Sequence, residues 1–244
     1  IWSRLVGSEM CIRDRDTEIK WRAAEGIEKL NLPNSKSRYN NNKLTKHLHK
    51  NMIGNIIPTP KSIKKISGKY ELKDTFNISF NDDEFTDVIN LYLKNSNEFL
   101  GIKHNKNVED YDILLTKNES FSDEEYTLNI IDEEIKINFA DKSGLSYALN
   151  SLFQLFINAK IERSDFISNY QIHDVPRFKY RGIHLDISRN YYGPNKIKQL
   201  LDFMHYFKLN KFHLNITDDE GWRIEIPGLP ELTDVGSKRG YTSD

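Results

Sequence analysis

Between His213 and Ile226 the sequence reads HLNITDDEGWRIEI, a strand-like run that ends in Asp218, Asp219 and Glu220, followed by Gly221 and Trp222. Upstream, IHLDISRNYYGP has the same form: Ile183, Leu185 and Ile187 alternate with His184, Asp186 and Ser188, and the run ends at Arg189 and Asn190. A guanidinium that only donates and a carboxylate that only accepts suit a polyhydroxyl ligand, because each sugar hydroxyl does both. Trp222 and the Tyr191–Tyr192 pair offer apolar faces beside them. Other uses of the same residues stay open. Arg189 and Asp218 can form an ion pair that merely joins two strands. His213, Asp218, Asp219 and Glu220 can be read as metal ligands, although consecutive acids rarely converge on one ion without an intervening turn. Asp218 or Glu220 can also serve directly as acid or base.

The elements that must position these groups are legible nearby. NKIKQLLDFMHYFK predicts a helix with Ile197, Leu200, Leu201, Met204 and Phe207 on its apolar face and Pro194 just before it, where a missing N–H is harmless. Strand, helix and strand make a βαβ unit, which requires parallel pairing and a right-handed crossover. The polar series His184, Asp186, Ser188 and His213, Asn215, Thr217 are unusual for a sheet buried on both faces. They fit strands whose inner side lines a barrel leading to a site at the C-terminal strand ends. An open doubly wound sheet also binds ligands at strand C-termini, but the Gly-rich first turn that usually accompanies it is absent.

Residues 55–170 predict a separate α+β domain, an antiparallel sheet with two helices. YTLNI and IKINFA alternate around Asp132-Glu133 as a hairpin, and YDILLTK is a short strand. One helix spans DEFTDVINLYLKNS. The other, DKSGLSYALNSLFQLF, repeats Leu145, Ala148, Leu149, Leu152, Phe153 and Phe156 at helical spacing. Nothing in this domain reads as a site. Residues 16–54 read as linker or stay unassigned, with an Asn- and Lys-rich run that has little to bury, and His47 and His49 there as part of a solvated basic tail. Residues 1–15 resemble a translated sequencing adapter and are set outside fold reasoning. On that reading Cys11 is not a feature of the protein, and the native N-terminus with any signal peptide lies outside the sequence.

The 244 residues carry a formal net charge of −1, with 38% hydrophobic, 11% aromatic and 29% charged residues. The near-neutral balance argues against a nucleic-acid partner. No apolar run reaches the roughly 18–20 residues of a membrane span. The single cysteine excludes an intrachain disulfide.

Several spaced motifs agree in order over residues 55–244. VPRFKYRGIHLDISRN, KLNKFHLNITDDEGWRIEI and PGLPEL resemble the opening of the catalytic (β/α)8 TIM barrel of family 20 glycoside hydrolases, the β-N-acetylhexosaminidases. IIPTPKSI and DKSGLSYALNSLFQLF resemble the small α+β domain that precedes that barrel. The resemblance implies that residues 171–244 are the first βαβ unit of a truncated barrel. It implies a retaining, substrate-assisted hydrolase of terminal non-reducing N-acetylglucosamine or N-acetylgalactosamine, acting on an amino-sugar glycan with no cofactor and no metal. Arg189 matches the family arginine that binds sugar hydroxyls, and Asp218 an aspartate that supports a barrel histidine near the general acid. Asn190 departs from the family histidine at its position, which implies an altered contact. The HxGGDE-type motif with the catalytic Asp-Glu pair does not occur in the 244 residues, so the chain by itself is expected to be inactive. Enzymes of this kind act in periplasmic, extracellular or lysosome-like compartments. A non-catalytic carbohydrate-binding protein and another barrel glycosidase are the alternatives.

Overall fold

The computed structural model describes residues 35–43, 56–80, 83–106, 110–219 and 221–238. The chain divides into two compact units, Ile1–His49 and Lys50–Asp244. The adapter-like segment, Cys11, His47, His49 and Glu220 lie outside the described residues. In the first unit, helix α1 (Ser35–Lys43) stands within the stretch that composition reads as linker. It has no apolar stripe to betray it, and its described side chains are exposed apart from the half-buried Ser37.

The second unit is built on a seven-stranded sheet. Its strands are β1 (Ser62–Glu71), β2 (Thr75–Ser79), β3 (Lys103–Lys106), β4 (Ile113–Lys117), β5 (Tyr126–Ile131), β6 (Glu134–Phe139) and β7 (Phe166–Asp174), in the order β1-β7-β5-β6-β4-β2-β3. The expected hairpin is present as β5 and β6, with Asp132 in the left-handed region at φ 54° in its turn. The sheet is mixed, not antiparallel as the sequence suggests. β3 and β4 both run parallel to β2, and β6 runs parallel to β4. The cause is helix α2 (Thr86–Asn95), which carries the chain from β2 across to β3 as a crossover. Strand alternation reports which face a residue occupies and carries no information on strand direction.

The second expected helix is α3 (Lys142–Glu162). Its start is set by Asp141, in extended conformation, whose Oδ1 accepts the Gly144 amide at 2.8 Å. Gly144 is needed there, since a Cβ would lie 2.7 Å from the Glu125 carbonyl oxygen. All six residues of the predicted apolar stripe are buried, and with Phe76, Ile78, Ile113, Leu128, Ile130, Ile135 and Ile137 they form the core. Strand β7 runs to Asp174, past residue 170, so the sheet claims residues that the sequence assigns to the following unit.

That following unit is strand β8 (Gly182–Asp186), helix α4 (Gly193–Tyr206) and strand β9 (Lys211–Asn215). β8 and β9 pair in parallel, as a βαβ unit requires, with Asp186 opposite Asn215. Of the apolar face expected on α4, Met204 is buried and Leu201 remains exposed. A short helix, α5 (Glu231–Asp234), follows. The unit is fastened to the α+β domain by polar groups. Arg181 pairs with Glu124 at 2.9 Å and donates to the Lys208 carbonyl at 2.8 Å. Lys208, only 3% exposed, donates to Asp174 Oδ2 and to the Tyr126 hydroxyl, each at 2.8 Å. Burial pushes the Lys208 ammonium below its ordinary range and the Tyr126 phenol well above its own, with Asp174 adding to the latter.

Candidate functional site

Arg189 and Asp218 each lie three residues beyond a strand-final residue, Asp186 or Asn215, and those two face each other in the ladder. Equal spacing from a paired register brings the two side chains together: Arg189 Nη2 lies 2.8 Å from Asp218 Oδ2. Both are open to solvent, with side-chain exposures of 56% and 33%, so the pair contributes little to stability and stays accessible to a ligand. The structure thus joins the two residues that the sequence singles out.

Local turns set each backbone. Asp186 Oδ1 accepts the Ser188 amide at 2.9 Å and the Arg189 amide at 3.0 Å. The Arg189 amide holds the Asp186 carboxyl below the usual carboxylate range. The Asp219 amide donates to Asp218 Oδ1 at 3.0 Å, and that bond, reinforced by the Arg189 charge, holds Asp218 low as well. Both carboxylates are therefore ionised at neutral pH, and the pair presents a fixed cation beside a fixed anion.

The other candidates fall in different places. The His213 ring stacks on His184 with centroids 4.5 Å apart, away from any shared ligand set with the acids. Among the described residues no three His, Cys, Asp or Glu side chains are placed to hold a metal ion. Tyr191 and Tyr192 are half exposed, and Asn190 is exposed beside Arg189. Trp222 donates its indole N–H to the Ile224 carbonyl at 2.6 Å, which suits a loop wall.

Sequence reasoning missed two residues that shape the site. Gly221 adopts φ +81°, and a Cβ there would lie 2.3 Å from the Ser188 carbonyl oxygen, so the chain after β9 crosses directly over the chain after β8. The available signal was a glycine directly after an acidic turn. The second is Arg223, whose Nε donates to the Ile187 carbonyl at 3.2 Å and whose Nη1 donates to the Ser237 carbonyl. Its partners are backbone atoms, which leave no mark in a sequence.

Both parts of the second unit are similar to known proteins. Residues 54–175 match the sequence model described as glycosyl hydrolase family 20, domain 2, and residues 178–244 match that of the family 20 catalytic domain. The N,N'-diacetylchitobiase of Vibrio harveyi is 34% identical over 194 residues, which is 76% of this chain and 21% of that protein. The beta-hexosaminidase of Vibrio vulnificus is 36% identical over 184 residues, 75% of this chain and 21% of that protein. Among solved structures, the exo-β-N-acetylglucosaminidase of Vibrio harveyi in complex with N-acetylglucosamine superposes with a TM-score of 0.67 at 28% identity, over 75% of this chain and 28% of that one. The chain thus spans about a fifth of the length of these curated relatives.

Proposed function

The chain belongs to glycosyl hydrolase family 20, and from that premise we propose that it is part of a β-N-acetylhexosaminidase that removes terminal non-reducing N-acetylglucosamine or N-acetylgalactosamine from glycans. One observation supports this most: Arg189 and Asp218, 2.8 Å apart and open to solvent, stand at the C-terminal ends of two parallel strands. That is where a barrel places its site. In this reading the residues after β7, 175–244, open a (β/α)8 barrel behind the α+β domain of residues 55–174, and the mouth forms over Arg189.

Arg189 donates to ring hydroxyls of the terminal sugar and fixes its orientation, which lowers the entropic part of the barrier. Asp218 accepts from a barrel histidine near the general acid. Hydrolysis is retaining and substrate-assisted: the substrate's own 2-acetamido oxygen attacks the anomeric carbon, so no protein nucleophile is required. An aspartate orients the acetamide, and a neighbouring glutamate with a raised pKa protonates the leaving oxygen. Those two acids belong to a motif that the 244 residues do not contain, so this chain alone does not hydrolyse substrate. The test is direct. The chain is assayed with a chromogenic N-acetylglucosaminide beside the product of the reading frame extended to its next stop codon. Turnover by the extended product alone is expected. Turnover by the 244-residue chain, or none by an extended product that contains the Asp-Glu pair, refutes the proposal.

A further inference from the structure

The Arg189–Asp218 pair is exposed, and an exposed pair does not hold two long loops in one geometry by its own attraction. Something beneath it must do so. The chain after β8 and the chain after β9 cross where Gly221 lies over Ser188. Ser188 is fully buried there, and its hydroxyl has no hydrogen-bond partner among the described residues, so the crossing is tightly closed. Two residues after Gly221 comes Arg223. Its amide donates to the Ile216 carbonyl at 3.2 Å, which folds the β9 loop back on its own start. Its guanidinium reaches in two directions, to Ile187 on the β8 loop and to Ser237 beyond α5. The guanidinium carbon lies 5.4 Å from the centre of the Tyr191 ring, two residues after Arg189. The Gly221 and Trp222 amides both donate to the Gly236 carbonyl, at 3.1 and 2.9 Å, which ties the chain after β9 to the chain after α5 a second time.

We propose that Arg223 is a positioning residue for the Arg189–Asp218 pair: by bonding the carbonyls of Ile187 and Ser237 it locks the two strand-end loops together and so sets where Arg189 meets Asp218. It has no ion pair with Asp218 and acts through the backbone. Only a planar fork of donors spans both carbonyls at once, so lysine, a single point donor, replaces half of it. The sugar-binding role of Arg189 is taken from the proposed function, whereas the latch between loops stands on the geometry alone.

The test uses the 244-residue chain with Arg189→Ala, Arg223→Ala and Arg223→Lys, and follows the Asp218 carboxyl carbon by NMR as pH is lowered. Arg189→Ala moves the Asp218 midpoint up toward the ordinary carboxylate range, because a neighbouring cation is gone. Arg223→Ala is expected to move it the same way although Arg223 has no ion pair with Asp218, and Arg223→Lys to move it part of the way. An Asp218 midpoint that stays put in a folded Arg223→Ala chain overturns the proposal. If that variant does not fold, an unchanged midpoint in Arg223→Lys overturns it. A second arm measures KM and kcat on a chromogenic N-acetylglucosaminide in the full-length protein. Arg189→Ala raises KM by about tenfold or more, the usual loss for a charged hydrogen bond, and Arg223→Ala raises it in the same direction with lysine partly restoring it. An unchanged KM in Arg189→Ala removes the sugar-binding reading while the latch is still judged by the titration. A raised KM in Arg189→Ala with none in Arg223→Ala overturns the positioning role.

Discussion

Arg189 and Asp218 show how little sequence is needed to bring two groups together when the strands are parallel. Each sits three residues past the end of its strand, and the ladder puts Asp186 beside Asn215, so register brings the two loops level and the side chains meet at 2.8 Å. What keeps the loops from wandering is a backbone crossing that only glycine permits. At Gly221 two costs combine, a φ of +81° and a Cβ 2.3 Å from a carbonyl oxygen, whereas Gly228 has φ +86° with nothing within 4 Å. Gly228→Ala is therefore expected to cost about 1 kcal/mol from the left-handed backbone alone. Gly221→Ala is expected to cost clearly more, about 2–3 kcal/mol, because the Ser188 carbonyl must also move. Urea unfolding of both variants measures the difference, and equal losses would refute the crossing as a constraint.

At the level of elements, the long periodic pieces were readable and the polar ones were not. Helix α3 announced itself through a stripe that is buried residue for residue, and the β5–β6 hairpin through alternation around Asp132. Strand β3, KHNK, is short, polar and at the sheet edge, so nothing in its pattern distinguishes it from a loop. The site pair was legible through its spacing, but its support was not, since Arg223 bonds carbonyls that every residue type possesses. The junction between the two parts of this unit was hidden for a related reason: Lys208 and Asp174 look like ordinary surface charges until the fold buries them. Replacing Lys208 with methionine leaves the Asp174 carboxylate buried without its cation, which is expected to cost about 3–5 kcal/mol. Adding Asp174→Asn removes that stranded charge, so the double variant is expected to be more stable than Lys208→Met alone in a double-mutant cycle. His104 on β3 gives an acid-sensitive counterpart. Its ring lies between Phe76 and Tyr92, both nitrogens lack partners among the described residues, and burial lowers its pKa from 6.5 to about 4. Between those values the unfolded chain binds a proton that the folded one does not, so stability falls as pH drops from 6.5 to about 4, by roughly 3 kcal/mol, and is unaffected by this group above 6.5. Thermal melts across that range should flatten in His104→Phe, and an identical slope in the variant would exclude His104 as the cause.

For the Lys50–Asp244 unit as a whole, protection is expected to be uneven. β5 and β6 are central strands of seven, flanked on both sides, and their inward residues Tyr126, Leu128, Ile130, Ile135 and Ile137 are fully buried. Among the described residues β8 and β9 pair only with each other, and neither Gly182–Asp186 nor Lys211–Asn215 holds a fully buried side chain. Around them Leu201, Phe203, Ile224, Ile226 and Leu229 face solvent, an apolar surface that favours dye binding and self-association. The polar junction at Arg181 and Lys208 fastens the ends of β8 and β9 remote from Arg189 and Asp218, and the Tyr206 ring stacked on Phe153 fastens the helix between them. Fastened to the α+β domain at that end, and with no fully buried side chain in either strand, the βαβ segment is expected to open in a step of its own below global unfolding. Hydrogen exchange should then show the amides of Gly182–Asp186 and Lys211–Asn215 exchanging at least about tenfold faster than those of Tyr126–Ile131. Lys208→Met should widen that gap, since it loosens the fastening while the central strands keep their packing. Equal protection across β5, β8 and β9, unchanged by the substitution, would mean that the junction and the sheet unfold together and that the site end is as firmly held as the core.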